Sequence, residues 1–307
     1  MNLKQQFKAL FRGKALERPL FIPLLGTYLG KVSQKSMQEL YTDPGLLHQG
    51  LRDAQQLLKA DAVITPLDEA FEAEALGCQV QWDEAGKRLE VKQSSGGQAP
   101  EPEMWIRMGR IPVFVEAVKR FAQVEGKQIP LIAAVTGPVT LTRLVYGESG
   151  QDKLGEVSQY VLQLIKAYAE AGADGILINE GLPLSTAADQ QSWSADYKPL
   201  INVIRYYNRF ALIRWVEPPP VTEQTAKINV HGLIAPEHSP PLNKKWIWGI
   251  PLNNGQLALI SGKNSPQEIN GIMYKQFFYT TATPLNHEEN EVNVLLDNIR
   301  QLVIPST

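Results

Sequence analysis

The sequence predicts an α/β protein: a single-domain (β/α)8 TIM barrel spanning residues 1–307, with a small hairpin insertion after strand 2. Three observations lead there. Apolar, β-branched runs alternate with amphipathic helical segments over most of the chain, the pattern of a parallel sheet with helices outside. The segment after the first strand, LLGTYLGK, lacks the glycine spacing of a dinucleotide-binding loop, which argues against an open doubly wound sheet. The chain, 307 residues with 44% apolar content, suffices for one barrel-sized core.

The elements follow in order. The opening MNLKQQFKALFRGKALERP is basic and mildly amphipathic, without an apolar run of signal-peptide length, and predicts a short surface helix. FIPLLG (21–26) reads as strand 1, and 36–60 holds one or two helices. AVITPL (62–67) reads as strand 2. QVQWDEAGKRLEV (79–91) reads as a hairpin turning at Glu84-Ala85-Gly86, and 92–103 as a polar loop. Residues 111–126 have helical spacing and 130–138 form strand 3. A helix over 157–172 stops at Gly172, before strand 4 at 174–181 and a helix at 198–210. Apolar runs follow at 211–217, 227–235, 245–252, 256–262 and 277–284, and a helix closes the chain at 288–303. That makes nine strand candidates where a closed barrel takes eight. One must be a loop strand or an addition.

The balance of 30 basic against 32 acidic residues gives no general attraction to nucleic acid or to anionic membranes. No stretch reaches the roughly 18 apolar residues of a membrane span. The lone Cys78 excludes an internal disulfide and a cysteine-cluster metal site. A cytoplasmic protein is the expectation. In a barrel, active groups sit at the C-terminal ends of strands. That rule selects Tyr28, Asp68, Thr136, Asn179, Glu180, Arg214, Trp215, Glu217 and His231. Asp68 is also placed to cap the helix that follows it. Of the carboxylates in DEAFEAE, Asp68 and Glu72 are expected to face the mouth, and Glu69 and Glu74 to be solvated or paired with lysines. Arg107 and Arg110 are candidates for an anion contact. Trp193, Trp215, Trp246 and Trp248 could wall a flat macrocycle, with ordinary core packing as the plainer account.

Four segments carry a resemblance: LKADAVITPLDEAFEAEALGCQV, PLIAAVTGPVTLTRLVYGE, AYAEAGADGILINEG, and LISGKNSPQEI with TPLNHEENEVNVLLDNI. In order and spacing they resemble the uroporphyrinogen decarboxylase superfamily, which includes cobamide-dependent methyltransferases. The resemblance implies a (β/α)8 barrel. It implies that Asp68, nine residues before Gly77, stands where the decarboxylases hold a catalytic aspartate against pyrrole N–H groups. It also implies an acidic residue at the end of strand 4, here Glu180, and the two carboxylates are the catalytic candidates. Tyr28, Glu72, Thr136, Arg214, Trp215 and His231 are the substrate-binding candidates. The decarboxylase pattern is incomplete. Pro23 and Thr27 stand where its arginines belong, Leu144 replaces its tyrosine, and TTATPL replaces its Gly-His-Gly. Glu72-Ala73-Glu74-Ala75-Leu76-Gly77 is similar to the methyltransferase branch, but the strand-5 segment IRWVEPP lacks that branch's His-x-Cys zinc ligands. Zinc is therefore not expected, which leaves His231, Glu217 and Asp68 as the remaining nitrogen-and-oxygen set.

The resemblance implies, first, methyl transfer with a corrinoid as cofactor and a small molecule or a corrinoid protein as partner. A decarboxylase-like lyase acting on a tetrapyrrole or another acid, and a catalytically degenerate binding barrel, stay open beside it. So does a homodimer.

Overall fold

A computed structural model describes residues 1–14, 16–83, 89–92, 99–182, 187–216, 230–234, 247–252, 268–269, 272–273 and 277–281. In chain order these form α1 (Leu3–Phe11), β1 (Leu20–Phe21), α2 (Tyr28–Ser33), α3 (Met37–Thr42), α4 (Pro44–Leu58), β2 (Val63–Ile64), α5 (Ala70–Ala75), β3 (Gln79–Trp82) and β4 (Leu89–Lys92). Then come α6 (Pro102–Trp105), α7 (Ile111–Val124), β5 (Leu131–Thr136), α8 (Pro138–Tyr146), α9 (Leu154–Ala171), β6 (Gly175–Glu180), α10 (Ala187–Tyr206), β7 (Phe210–Trp215), β8 (Gly232–Ile234), β9 (Ile247–Leu252), β10 (Glu268–Ile269), β11 (Ile272–Met273) and β12 (Phe277–Thr281).

Eight strands form one sheet in the order β1-β12-β9-β8-β7-β6-β5-β2, and every neighbouring pair is parallel. Each overlaps one of the nine expected strands, although β1 shares only Phe21 with the expected 21–26 and β2 is two residues long. The ninth, 256–262, lies outside the described residues, as do the closing helix at 288–303 and the turn at 84–86. β3 and β4 pair antiparallel within the expected hairpin segment.

Strand alternation divides the core into two layers. Val63, Ala133, Val135, Ile176, Ile178, Ala211, Ile213 and Trp215 pack in the cluster that also holds the helices. The other face gathers at least one side chain from each of the eight strands into a second cluster: Leu20, Ile64, Ile132, Leu177, Leu212, Ile234, Ile247 and Phe278. The sheet thus curls with that face inward. The ladder is interrupted between β1 and β2. There the Asp61 N–H donates to Phe21 O at 2.8 Å, and the Asp61 carboxylate accepts from the Phe21 N–H at 2.8 Å and from Arg18 at 2.7 Å on each oxygen. One side chain therefore does the work of missing ladder bonds, because buried backbone donors must be paired.

The opening helix departs from expectation. α1 is capped by Asn2 but is not a surface helix: Phe7, Leu10 and Phe11 are buried. Their i, i+3, i+4 spacing forms one apolar stripe, which meets Phe210 and Phe278 at the N-terminal edge of the sheet, with Phe7 and Phe210 ring centroids 5.6 Å apart. Lys4 pairs with Asp174 at 3.0 Å, just before β6. The helix plugs the end of the sheet opposite the expected mouth.

Candidate functional site

The C-terminal ends of β2, β5, β6 and β7 converge through side chains. β2 ends at Ile64, leaving two β5 amides without a strand partner. Thr65 Oγ1 takes the Ala134 N–H at 2.8 Å, and the Glu72 carboxylate takes the Thr136 N–H at 2.8 and 3.1 Å. Glu72 is almost wholly buried, and burial pushes its carboxyl well above the ordinary range, with Asp68, Glu69 and Glu180 adding to the push.

Asp68 does what its position before α5 predicts: Oδ1 accepts from the Ala70 N–H at 2.9 Å. Its other oxygen is held by Arg110 Nη1 at 2.7 Å, while Arg110 Nε binds Glu74 at 2.7 Å. Burial raises the Asp68 pKa, and the arginine opposes that rise. Arg110 is buried over the Tyr41 ring, so the expected anion-contact arginine is occupied by two carboxylates of its own chain.

Asn179 and Glu180 end β6 and point to opposite layers. Alternation from Leu177 sends Asn179 inward and Glu180 outward, between the sheet and α8. The Glu180 carboxylate accepts from the Val139 N–H at 3.3 Å, the Thr140 N–H at 2.8 Å and the Thr140 hydroxyl at 2.5 Å. It is fully buried and caps the first turn of α8 from outside its own helix. Burial outweighs those three donors and raises its pKa to about 7. Gly137 makes this possible, since a Cβ there would stand 2.0 Å from Glu180 Oε1.

The inward set is Thr136, Asn179 and Arg214. Asn179 Nδ2 donates to Glu69 Oε1 at 3.0 Å, and Asn179 Oδ1 accepts from Arg214 Nη1 at 2.8 Å. Glu69, expected to be solvated, is thus tied into the interior, and burial raises its pKa. Arg214 is itself buried, and burial lowers its pKa against the opposing influence of Glu69.

Three expected residues lie elsewhere. His231 precedes β8, at the N-terminal edge of the sheet, where the Ala211 N–H donates to Nδ1 at 3.0 Å and Arg205 approaches Nε2 at 3.2 Å. Burial, and then Arg205, lower its pKa to about 4. The expectation that His231 ends a strand is corrected, because β8 begins one residue after it. Tyr28 opens α2 and packs with the helix-side cluster, as does Trp215, whose place in β7 alternates outward from Arg214. The side chains of Trp193, Trp246 and Trp248, and all of Glu217, lie outside what the structure describes. Among the described residues no three His, Cys, Asp or Glu side chains form a metal-binding group, and Asp68 and His231 stand at opposite ends of the strands. Among those residues no helix is long and apolar enough to cross a membrane.

The strand-end rule selected Asn179, but neither it nor Glu69 stood among the catalytic or substrate-binding candidates. The signal for Asn179 was present: counting by twos from the sheet's inner apolar residues selects 179 and 214, not 180 and 215.

Together these features define an eight-stranded parallel α/β protein of the TIM-barrel type with a polar, carboxylate-rich set at its strand ends. The family model for uroporphyrinogen decarboxylase (URO-D) matches residues 2–192, and the chain belongs to that family. Among curated proteins it is similar to methylcobamide:CoM methyltransferase MtaA of Methanosarcina barkeri, 24% identical over 196 residues, 58% of each chain. It is also similar to methylcobamide:CoM methyltransferase MtbA of Methanosarcina acetivorans, 27% identical over 133 residues, 38% of this chain and 39% of that one. The matched region thus spans between 39% and 58% of these relatives' lengths. Among solved structures, a methyltransferase from Methanosarcina mazei matches with a TM-score of 0.71 at 19% identity, covering 96% of this chain and 97% of that one. A B12-independent methionine synthase from Shewanella sp. W3-18-1 matches with a TM-score of 0.52 at 15% identity, covering 83% and 87%. At such identities both likenesses speak to the fold.

Proposed function

We propose that the protein catalyses corrinoid-linked methyl transfer at the C-terminal end of its parallel strands. Its similarity to two methylcobamide:CoM methyltransferases supports the reaction class. The observation that favours this over a decarboxylase-like lyase is the state of Asp68. A lyase of that kind needs a carboxylate free to meet its substrate. Here one oxygen holds the Ala70 N–H and the other holds Arg110. Asp68 is committed to organising α5 and the segment before α7.

The groups left for a ligand are the inward ones, Thr136, Asn179 and Arg214, with Glu69 behind them. They are hydrogen-bonding groups that would orient a polar acceptor at the strand ends. A corrinoid, when bound, supplies a transferable methyl group. The chain's own residues hold the acceptor in line, fix the Asn179 amide from both sides, and keep Arg214 charged at the strand end. The corrinoid, the acceptor and a corrinoid-protein partner all belong to this proposal.

The test is anaerobic incubation of the purified protein with methylcob(III)alamin and small thiols, following the corrinoid spectrum and methylated product. Product formation that falls at least tenfold in Asn179→Leu supports the proposal. Turnover of uroporphyrinogen III without methyl transfer refutes it in favour of the lyase. Binding of either tetrapyrrole with no turnover, including in the presence of a corrinoid protein, refutes it in favour of a degenerate barrel.

A further inference from the structure

Asp68, Glu69, Glu72, Glu74 and Glu180 gather around the strand ends, and all but Glu69 are committed elsewhere. Asp68 gives one oxygen to the Ala70 N–H and the other to Arg110. Glu72 is buried against the Thr136 N–H, Glu74 is paired with Arg110, and Glu180 is buried on the helix side under three donors. Glu69 immediately precedes α5, but its side chain does not cap that helix. Its Oε1 accepts from Asn179 Nδ2 at 3.0 Å, and among the described residues Oε2 has no hydrogen-bond partner. The residue is half-buried, and Oε2 is not one of the unpaired polar atoms sealed in the interior; it reaches solvent.

The carboxyl is placed by its surroundings. Thr136, Asn179 and Arg214 lie in register across β5, β6 and β7 and face inward. Asn179 Oδ1 is held by Arg214 Nη1 at 2.8 Å, which turns the amide nitrogen to Glu69. Gly181 supplies the room, since a Cβ there would stand 2.0 Å from Glu69 Oε1. One oxygen is thus anchored, and the other is left free beside the inward groups. Burial raises the pKa of this carboxyl; Arg214 opposes the rise, Asp68 adds to it, and the bond from Asn179 opposes it. A carboxylate so shifted is a stronger base than one in water.

We propose that Glu69 is the general base of the reaction: its Oε2 takes the proton of the acceptor as the acceptor's nucleophilic atom attacks the methyl group carried by the corrinoid. The inference rests on the methyl-transfer reading and adds a catalytic residue to it. The bonds balance. The acceptor's bond to hydrogen breaks, and the proton goes to Oε2. The bond from the acceptor to the methyl carbon forms. The carbon–cobalt bond breaks, and its electron pair stays with the corrinoid. Because Oε2 reaches solvent, Glu69 returns the proton to water after each turnover. Asn179 is a positioning residue that acts through the anchored oxygen.

Two measurements on the full chain test this. The first uses no corrinoid. 4-Nitrothiophenol is ionised at neutral pH. Seating its sulfur against the Glu69 carboxylate brings two negative charges together, so wild type should take up a proton on binding it. Calorimetry in buffers of different ionisation heat reads that uptake. Glu69→Gln should bind it with no uptake; glutamine keeps an oxygen for Asn179 Nδ2, and circular dichroism checks that the variant is folded. The second is anaerobic methyl transfer from methylcob(III)alamin at neutral pH. With 2-mercaptoethanol, which must lose its proton, Glu69→Gln should slow transfer by about 10²-fold or more, and Glu69→Asp should recover part of that loss. With 4-nitrothiophenol, already ionised, Glu69→Gln should be no slower than wild type. Failure of wild type to bind the nitrothiophenolate, or binding without proton uptake, overturns the inference, as does an equal loss with both thiols or no loss with either. The two readings fail separately: Glu69-dependent proton uptake without methyl transfer removes the reaction and keeps the base beside the acceptor, and methyl transfer indifferent to Glu69 does the reverse.

Discussion

Gly137→Ala should destabilise the protein by about 3–5 kcal/mol, although ordinary backbone reasoning gives the opposite sign. Gly137 has φ −67° and ψ 150°, a conformation alanine adopts freely. Replacing glycine there would by itself stabilise by about 0.4–1 kcal/mol, through the unfolded chain. Space decides instead. The new Cβ would stand 2.0 Å from Glu180 Oε1 and 2.1 Å from its Cδ, where real contacts do not fall below 3.0 Å. The carboxyl must shift by about 1 Å, beyond the reach of bonds that now measure 3.3, 2.8 and 2.5 Å. Losing that cap costs roughly 0.5–2 kcal/mol. Burying donors without partners and crowding a packed site adds roughly 1–3 kcal/mol from each source, partly recovered by relaxation. Urea unfolding of the single variants and of Gly137→Ala/Glu180→Ala measures this. Removing the carboxyl makes room for the methyl, so the double variant should be more stable than the sum of the single losses by about 2 kcal/mol. A Gly137→Ala protein as stable as wild type, or additive losses in the cycle, would falsify the account of this turn.

Other consequences can be measured on the same material. The folded pKa of Glu180, about 7, lies above its ordinary 4.5; its favourable contribution is complete below pH 4.5 and is lost as pH rises through 7, by about 3 kcal/mol in all. The stability advantage of wild type over Glu180→Gln should therefore shrink between pH 5 and 8, and a constant difference contradicts the burial argument. Arg110→Met strands the buried Asp68 carboxylate and should cost about 3–5 kcal/mol at pH 7, and less near pH 4, where Asp68 takes up a proton; an equal cost at both pH values counts against the pair. Phe7→Ala should cost about 3–5 kcal/mol, because its ring is fully buried against Phe11 and Phe210; a loss below about 1 kcal/mol would return α1 to the surface.

The elements were legible where apolar runs were long. β5, β6 and β7 follow unbroken apolar segments, and α9 stops at Gly172, which takes φ 106° as a helix terminator must. α1 was harder. Its stripe of Phe7, Leu10 and Phe11 is visible, but the partner surface is assembled from β7 and β12, more than 190 residues away by the chain numbering. His231 was misplaced because KINVHGLIA gives no sign of where its ladder starts, and β8 starts one residue after the histidine. Asp68 was found with its cap, yet its pairing with Arg110 joins residues 42 apart in sequence.

The strand-4 terminus shows how alternation parts two neighbouring candidates. Asn179-Glu180 looks like a strand delivering a carboxylate to the mouth, and charge draws the eye to Glu180. In a strand, however, a shift of one residue exchanges the two faces. Glu180 falls on the helix side, where Gly137 leaves room for it and Thr140 offers both an amide and a hydroxyl. The Gly-Pro-x-Thr segment after β5 is thereby explained without reference to any substrate: glycine for clearance, proline at the first turn of α8, threonine to complete the cap. The neutral neighbour, Asn179, is the residue that reaches inward and fixes Arg214. In this structure the strand-4 acid resembling that of the family is engaged by the first turn of α8, and the inner polar groups, Thr136, Asn179 and Arg214, are those on which the proposed function draws.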